Sequence, residues 1–126
     1  MMEPQILIVA EDASPRRAIG PLERQEWHIE SVPDCKAAYQ RLLAGRFMAV
    51  VIDLASRLDG IELIKQIRAS SELGKTLVLV IGEWGTGQTT FALSQGADAC
   101  EVGPLDAARL LDSVERLLQP HAVVLQ

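Results

Sequence analysis

Aromatic residues make up only 4% of the 126-residue chain, and its two cysteines, Cys35 and Cys100, stand alone. With so few rings, aliphatic side chains and alanine must fill the interior. The isolated cysteines form neither a CxxC pair nor a His/Cys ligand cluster, which argues against a zinc site or a disulfide framework. They read as buried small hydrophobes in a reducing cytoplasm. Basic excess is also missing. Twelve Lys and Arg face seventeen Asp and Glu, for a formal net charge of -5, so direct nucleic-acid binding is disfavoured. No apolar run approaches the roughly 20 residues that span a bilayer. The opening MMEPQILIVAED lacks the basic start and long apolar stretch of a signal peptide. These features predict a cytoplasmic protein that does not engage a membrane.

Apolar residues are plentiful, at 48%, against 23% charged, as a globular domain with a real core requires. They fall in short runs at 6–10, 28–32, 48–52 and 77–81, with a weaker one at 98–102. The first, third and fourth are continuous and β-branched, the mark of strands covered on both faces. The second is mixed and polar, as an edge strand would be. Helical spacing fills the intervals. One helix is expected after Ser14-Pro15, interrupted at Gly20-Pro21. A second begins near Asp34 and stops at Gly45, a third covers 60–69 with Ile61, Ile64 and Ile67 on one face, and a fourth covers 88–95. A fifth opens at Pro104 with Leu105, Ala108, Leu111, Val114 and Leu118 in a stripe. Alternation of this kind predicts an α/β fold: a doubly wound (βα)5 three-layer sandwich around a five-stranded parallel sheet. The domain is expected over 1–119, with 120–126 a tail or linker remnant.

In such sheets the functional residues lie at the carboxyl ends of the strands. Glu11 and Asp12 follow the first run, Asp53 ends the third, Gly82-Glu83 follows the fourth and Gly103-Pro104 the fifth. Three carboxylates converging on one pocket repel unless a cation intervenes. Carboxylate oxygens suit Mg²⁺, and an Asp beside it can attack a phosphoryl donor. The competing reading makes these residues ordinary loop carboxylates, with Asp12 capping the first helix.

The segments ILIVAED, VVIDLASRLDGIELIKQIR and GADACEVGP closely resemble the receiver domains of bacterial two-component response regulators, over nearly the whole chain from Ile6 to about Leu118. The resemblance implies a flavodoxin-like receiver topology and a role in phosphorelay signal transduction. Asp53 would accept a phosphoryl group from a histidine kinase or phosphotransfer protein. Mg²⁺ would be held by Asp12, Asp53 and the Ala55 backbone carbonyl, with Glu11 assisting. An effector or output domain would engage the face of the last two helices and the fifth strand, and a homodimer is conceivable. The domain would not be an enzyme beyond transferring the group to its own Asp53.

Departures from the family pattern are equally legible. Gly82 stands where the family has Ser or Thr, Cys100 where it has an aromatic switch residue, and Gly103 where it has Lys. The loop after Asp53 is one residue short and lacks its usual proline; Arg57 in it is either a replacement cation or a solvated arginine. The alternative function is therefore a phosphorylation-independent pseudo-receiver that docks other proteins, for which Trp84 is one candidate anchor. Three further readings fail on their residues. GEWGTGQT at 82–89 imitates a phosphate loop, but Gln88 replaces the lysine. A phosphatase of the haloacid dehalogenase type needs a second Asp where Ala55 stands. A flavin site needs hydroxyls where Glu11 and Asp12 stand.

Overall fold

The computed structural model describes residues 5–10, 27–54, 60–83, 85, 87–103 and 107–119. Among these, five strands alternate with four helices: β1 Gln5–Val9, β2 His28–Val32, α1 Cys35–Ala44, β3 Ala49–Asp53, α2 Gly60–Ala69, β4 Leu77–Glu83, α3 Gln88–Ser94, β5 Ala99–Gly103 and α4 Ala107–Leu118. The helix expected after Ser14-Pro15 and the tail at 120–126 lie outside the described residues.

All strands are parallel, in the order β2-β1-β3-β4-β5. The polar β2 is an edge, as its composition predicts, and β5 is the other. In the three central strands the burial pattern explains the sequence. Leu7, Val9, Val50, Ile52, Val78 and Val80 point to one side, where α1, α2 and Ala92 of α3 pack on them. Ile6, Ile8, Ala49, Val51 and Leu79 point to the other, against Leu110, Val114 and Leu117 of α4. A strand covered on both sides has no solvent face, so it cannot alternate apolar with polar. Each such aliphatic side chain contributes about 1.5–3 kcal/mol by leaving water.

Local chemistry sets the element ends. Asp34 is the N-cap of α1, its side chain accepting from the Ala37 backbone N–H at 2.7 Å. Gly45 ends that helix with extended backbone, not the left-handed turn usual for a terminal glycine. Space is the reason for glycine here: a Cβ would come 2.8 Å from the Phe47 ring. In α2 the buried stripe is Leu63, Ile64 and Ile67, with Ile61 only partly buried. In α4 the expected stripe is rotated. Ala108 is exposed while Leu110, Val114 and Leu117 are buried, because i, i+4, i+7 spacing admits several stripes and the sheet selects one. Leu105 lies outside the described residues. Neither cysteine is fully buried, contrary to expectation. Cys35 opens a helix and Cys100 lies on an edge strand, places that cover a side chain from one side only.

One arginine joins four segments. Arg68, in the last turn of α2, donates through Nε to the Gly96 carbonyl at 2.8 Å and through Nη1 to the carbonyls of Thr76 at 2.7 Å and Gly74 at 3.0 Å. Its Nη2 donates to Asp98 at 2.7 Å, and that same carboxylate oxygen accepts the Val78 N–H at 2.8 Å. The start of β4 and the turn into β5 are thereby tied to α2. Across the sheet, Arg41 of α1 makes a two-pronged pair with Glu30 of β2. Among the described residues no helix is long and apolar enough to cross a membrane.

Two predictions follow from these ties. Arg68→Ala should lower the unfolding free energy by about 2–3 kcal/mol in urea titration, with Arg68→Lys recovering only part, since lysine cannot reach four acceptors in a plane. The hydrogen bond from Arg41 holds the Glu30 carboxyl below its ordinary 4.5, with burial opposing in part. A lowered folded value means the contribution is present above the ordinary glutamate range and is lost as pH falls through the lowered value. The stability gap between the wild type and Glu30→Gln, read from melting curves against pH, should therefore close on acidification.

Candidate functional site

Asp53 owes its position to the strand that carries it. Ala49, Val50, Val51 and Ile52 are at most 1% exposed, and only at the last residue does β3 emerge from beneath its helices. A carboxylate is tolerable there and not one turn of the pleat earlier. Asp53 is partly exposed and lies level with Ile81 of β4, which in turn lies level with Glu101 of β5. On its other side β3 pairs with β1, Val9 standing opposite Ile52, so the chain leaves β1 at Ala10 beside the Asp53 end.

The backbone around Asp53 is held firmly. Leu54 continues the ladder, its N–H donating to the Ile81 carbonyl at 2.8 Å, and its side chain is 6% exposed. Gly60, the first residue of α2, lies directly on this pair. A Cβ there would come 2.3 Å from Leu54 and 2.8 Å from Ile52, so only glycine lets the helix start so close to the strand. The chain that departs after Asp53 is pinned where it leaves and where it returns.

β4 runs two residues beyond its expected end, so Gly82 and Glu83 belong to the strand. Gly82 stands opposite Val102 and Glu83 opposite Gly103. Gly82 is buried, and its missing side chain has been replaced by neighbours. A Cβ would lie 2.7 Å from Thr89 Cγ2, 3.3 Å from Gln88 Oε1 and 3.4 Å from Gln88 Cβ. The Gln88 carboxamide bridges two strand ends. Its Oε1 accepts the Glu83 N–H at 3.0 Å, and its Nε2 donates to the Leu54 carbonyl at 3.1 Å, the residue next to Asp53. Gly85 and Gly87 take left-handed backbone, φ 79° and 75°, with open space around them. Left-handed backbone favours glycine, which accounts for these two glycines of the imitation phosphate loop.

Asp53, Gly82 and Gly103 thus assemble at one edge of the sheet, on neighbouring strands. Cys100 lies deeper in β5 and packs against the core under α1–α3. Glu11, Asp12, Ala55, Arg57, Trp84 and Pro104 lie outside the described residues. Among the described residues no three His, Cys, Asp or Glu side chains gather into a metal-binding group. Gln88 and Thr89 pack on Gly82 at this edge, and neither is marked by a motif of its own. In sequence Gln88 reads as the wrong residue for a phosphate loop. The available signal was Gly82 itself, a glycine ending a β-branched strand, with polar residues six and seven positions on.

A parallel five-stranded sheet of this order, covered by helices on both faces, is a flavodoxin-like α/β fold. No protein-family model matches the chain. Solved receiver structures superimpose on it closely. The chemotaxis response regulator CheY4 of Vibrio cholerae matches with a TM-score of 0.83 at 21% identity, over 93% of this chain and 100% of that one. A putative response regulator from Chloroflexus aurantiacus gives 0.83 at 18% identity, over 93% and 98%. The signal receiver domain of a histidine kinase from Syntrophus aciditrophicus gives 0.80 at 23% identity, over 98% and 93%. The chain has the fold of response-regulator receiver domains.

Packing at Gly82 can be tested by size exchange. Gly82→Ala should destabilise by about 1–3 kcal/mol despite its stiffer unfolded chain, because Thr89 Cγ2 occupies the space. Thr89→Ser removes that methyl group and should restore most of the loss in the double variant, seen as a favourable coupling in a chemical-denaturation cycle.

Proposed function

We propose that the domain is a receiver in two-component signalling, with Asp53 accepting a phosphoryl group from a histidine kinase or phosphotransfer protein. The observation that carries this reading is the placement of Asp53: a partly exposed carboxylate at the carboxyl end of the central strand in a sheet that superimposes on receiver structures. An Asp53 carboxylate oxygen attacks phosphorus, the bond from phosphorus to the donor's nitrogen or oxygen breaks, and the leaving group takes up a proton. The product is an acyl phosphate on Asp53. A hard dication fits an all-oxygen donor set, and Asp53, Glu11, Asp12 and the Ala55 carbonyl would hold Mg²⁺. When bound, Mg²⁺ neutralises charge between carboxylate and phosphoryl group. The protein's part is to fix the carboxylate: the Leu54 ladder bond and the close seat of Gly60 hold the backbone on its far side, so attack costs little rearrangement.

A second reading has its own support. Phe91 and Leu93 are 52% and 43% exposed on α3, a helix with no charged residue. That surface suits a phosphorylation-independent docking module whose partner covers the last two helices and β5. One experiment separates the two. Intact-mass measurement after incubation with Mg²⁺ and phosphoramidate should show the gain of one phosphoryl group in the wild type and none in Asp53→Asn. Absence of any gain with the small donor and with histidine kinases would leave the docking module standing.

A further inference from the structure

Once on Asp53, a phosphoryl group presents three strong acceptor oxygens and roughly -1.5 to -2 charge. Those oxygens need donors. Gly82, one residue past the level of Asp53 in the adjacent strand, has no side chain to offer. The space above it is taken instead by two side chains from α3, Gln88 and Thr89. Thr89 turns its methyl group toward Gly82, and Gln88 is the one that brings amide hydrogens.

We propose that Gln88 is a positioning residue of the phosphoryl site, donating a hydrogen bond from helix α3 to the group carried on Asp53. This inference rests on the reading of Asp53 as phosphoacceptor. Gln88 Nε2 already donates to the Leu54 carbonyl, one residue from Asp53, at 3.1 Å. Exchanging that neutral carbonyl for an anionic phosphoryl oxygen is favourable, because a hydrogen bond to a charged acceptor is roughly twice as strong. The exchange has a structural consequence. Gln88 also accepts the Glu83 N–H, so re-aiming its carboxamide loosens the bridge between the β3 and β4 ends and shifts the start of α3. Phosphorylation thereby acquires a differential contact with the helix that exposes Phe91 and Leu93.

Substitutions that separate donor from shape provide the test. Gln88→Glu keeps the length and the acceptor for Glu83 but replaces the amide donor with an anion, while Gln88→Ala removes the bridge. Thr89→Val keeps the methyl group over Gly82 and serves as the packing control. With phosphoramidate and Mg²⁺, phosphorylation rates followed by intact mass should fall roughly tenfold in Gln88→Ala and more in Gln88→Glu, with Thr89→Val near wild type. Melting temperatures of the unphosphorylated variants identify any loss that comes from folding. In the wild type, the Gln88 side-chain amide resonance should move on phosphorylation, a change that a purely structural glutamine would not give. A phosphorylated wild type with an unmoved Gln88 amide and unchanged rates in Gln88→Ala and Gln88→Glu overturns this inference alone. Failure to phosphorylate the wild type overturns it together with the phosphoacceptor reading.

Discussion

Cover on both faces of the central sheet is the constraint from which the other features descend. β1, β3 and β4 are sandwiched between α1–α3 and α4, so their interior positions admit only aliphatic side chains. Burying an unpaired carboxylate among them would cost far more than a domain of this size can spare. Polar chemistry is pushed to the strand ends, and parallel pairing puts those ends at one edge. Asp53 is thereby placed by the core before any functional contact is considered.

The second constraint is close approach. Gly60 lets α2 start against Ile52 and Leu54, and Gly82 lets α3 start against β4. Both glycines trade a side chain for proximity, and both lie beside Asp53. At Gly82 the trade seats a helix on the strand end and brings the Gln88 carboxamide next to Asp53. Gln88 and Thr89 come from a helix, and a helix can move as a body where a strand in mid-sheet cannot. Arg68 works in the opposite sense, fixing the base of β4 and the turn into β5 through four hydrogen bonds, so motion at the carboxyl ends need not disturb the opposite edge.

Much of this was legible in the chain. Continuous β-branched runs announced the covered strands, and the mixed run at 28–32 announced the edge. The start of a helix near Asp34 is legible because Asp before a helical pattern can satisfy an amide locally. Legibility failed where geometry between distant segments decides. The helical pattern puts Ala108 in the α4 stripe, whereas the sheet selects Leu110 and Leu117. β4 was ended at Ile81, because nothing local to Gly82 and Glu83 says that β5 pairs with them. Gln88 looked like a failed phosphate-loop lysine, because its partners, Glu83 and Leu54, are 5 and 34 residues away.

The amino-acid sequence by itself determined the alternation of strands and helices, the covered sheet and the placing of Asp53 at a strand end. These depend on periodicity and burial, which act over a few neighbouring residues. Only the tertiary structure decided what surrounds that carboxylate. Gly82 reads in sequence as a missing hydroxyl, and in space it is the seat on which Thr89 and Gln88 rest. The difference arises because a residue's absence is a local fact, while whatever fills the space it leaves is chosen by packing between segments.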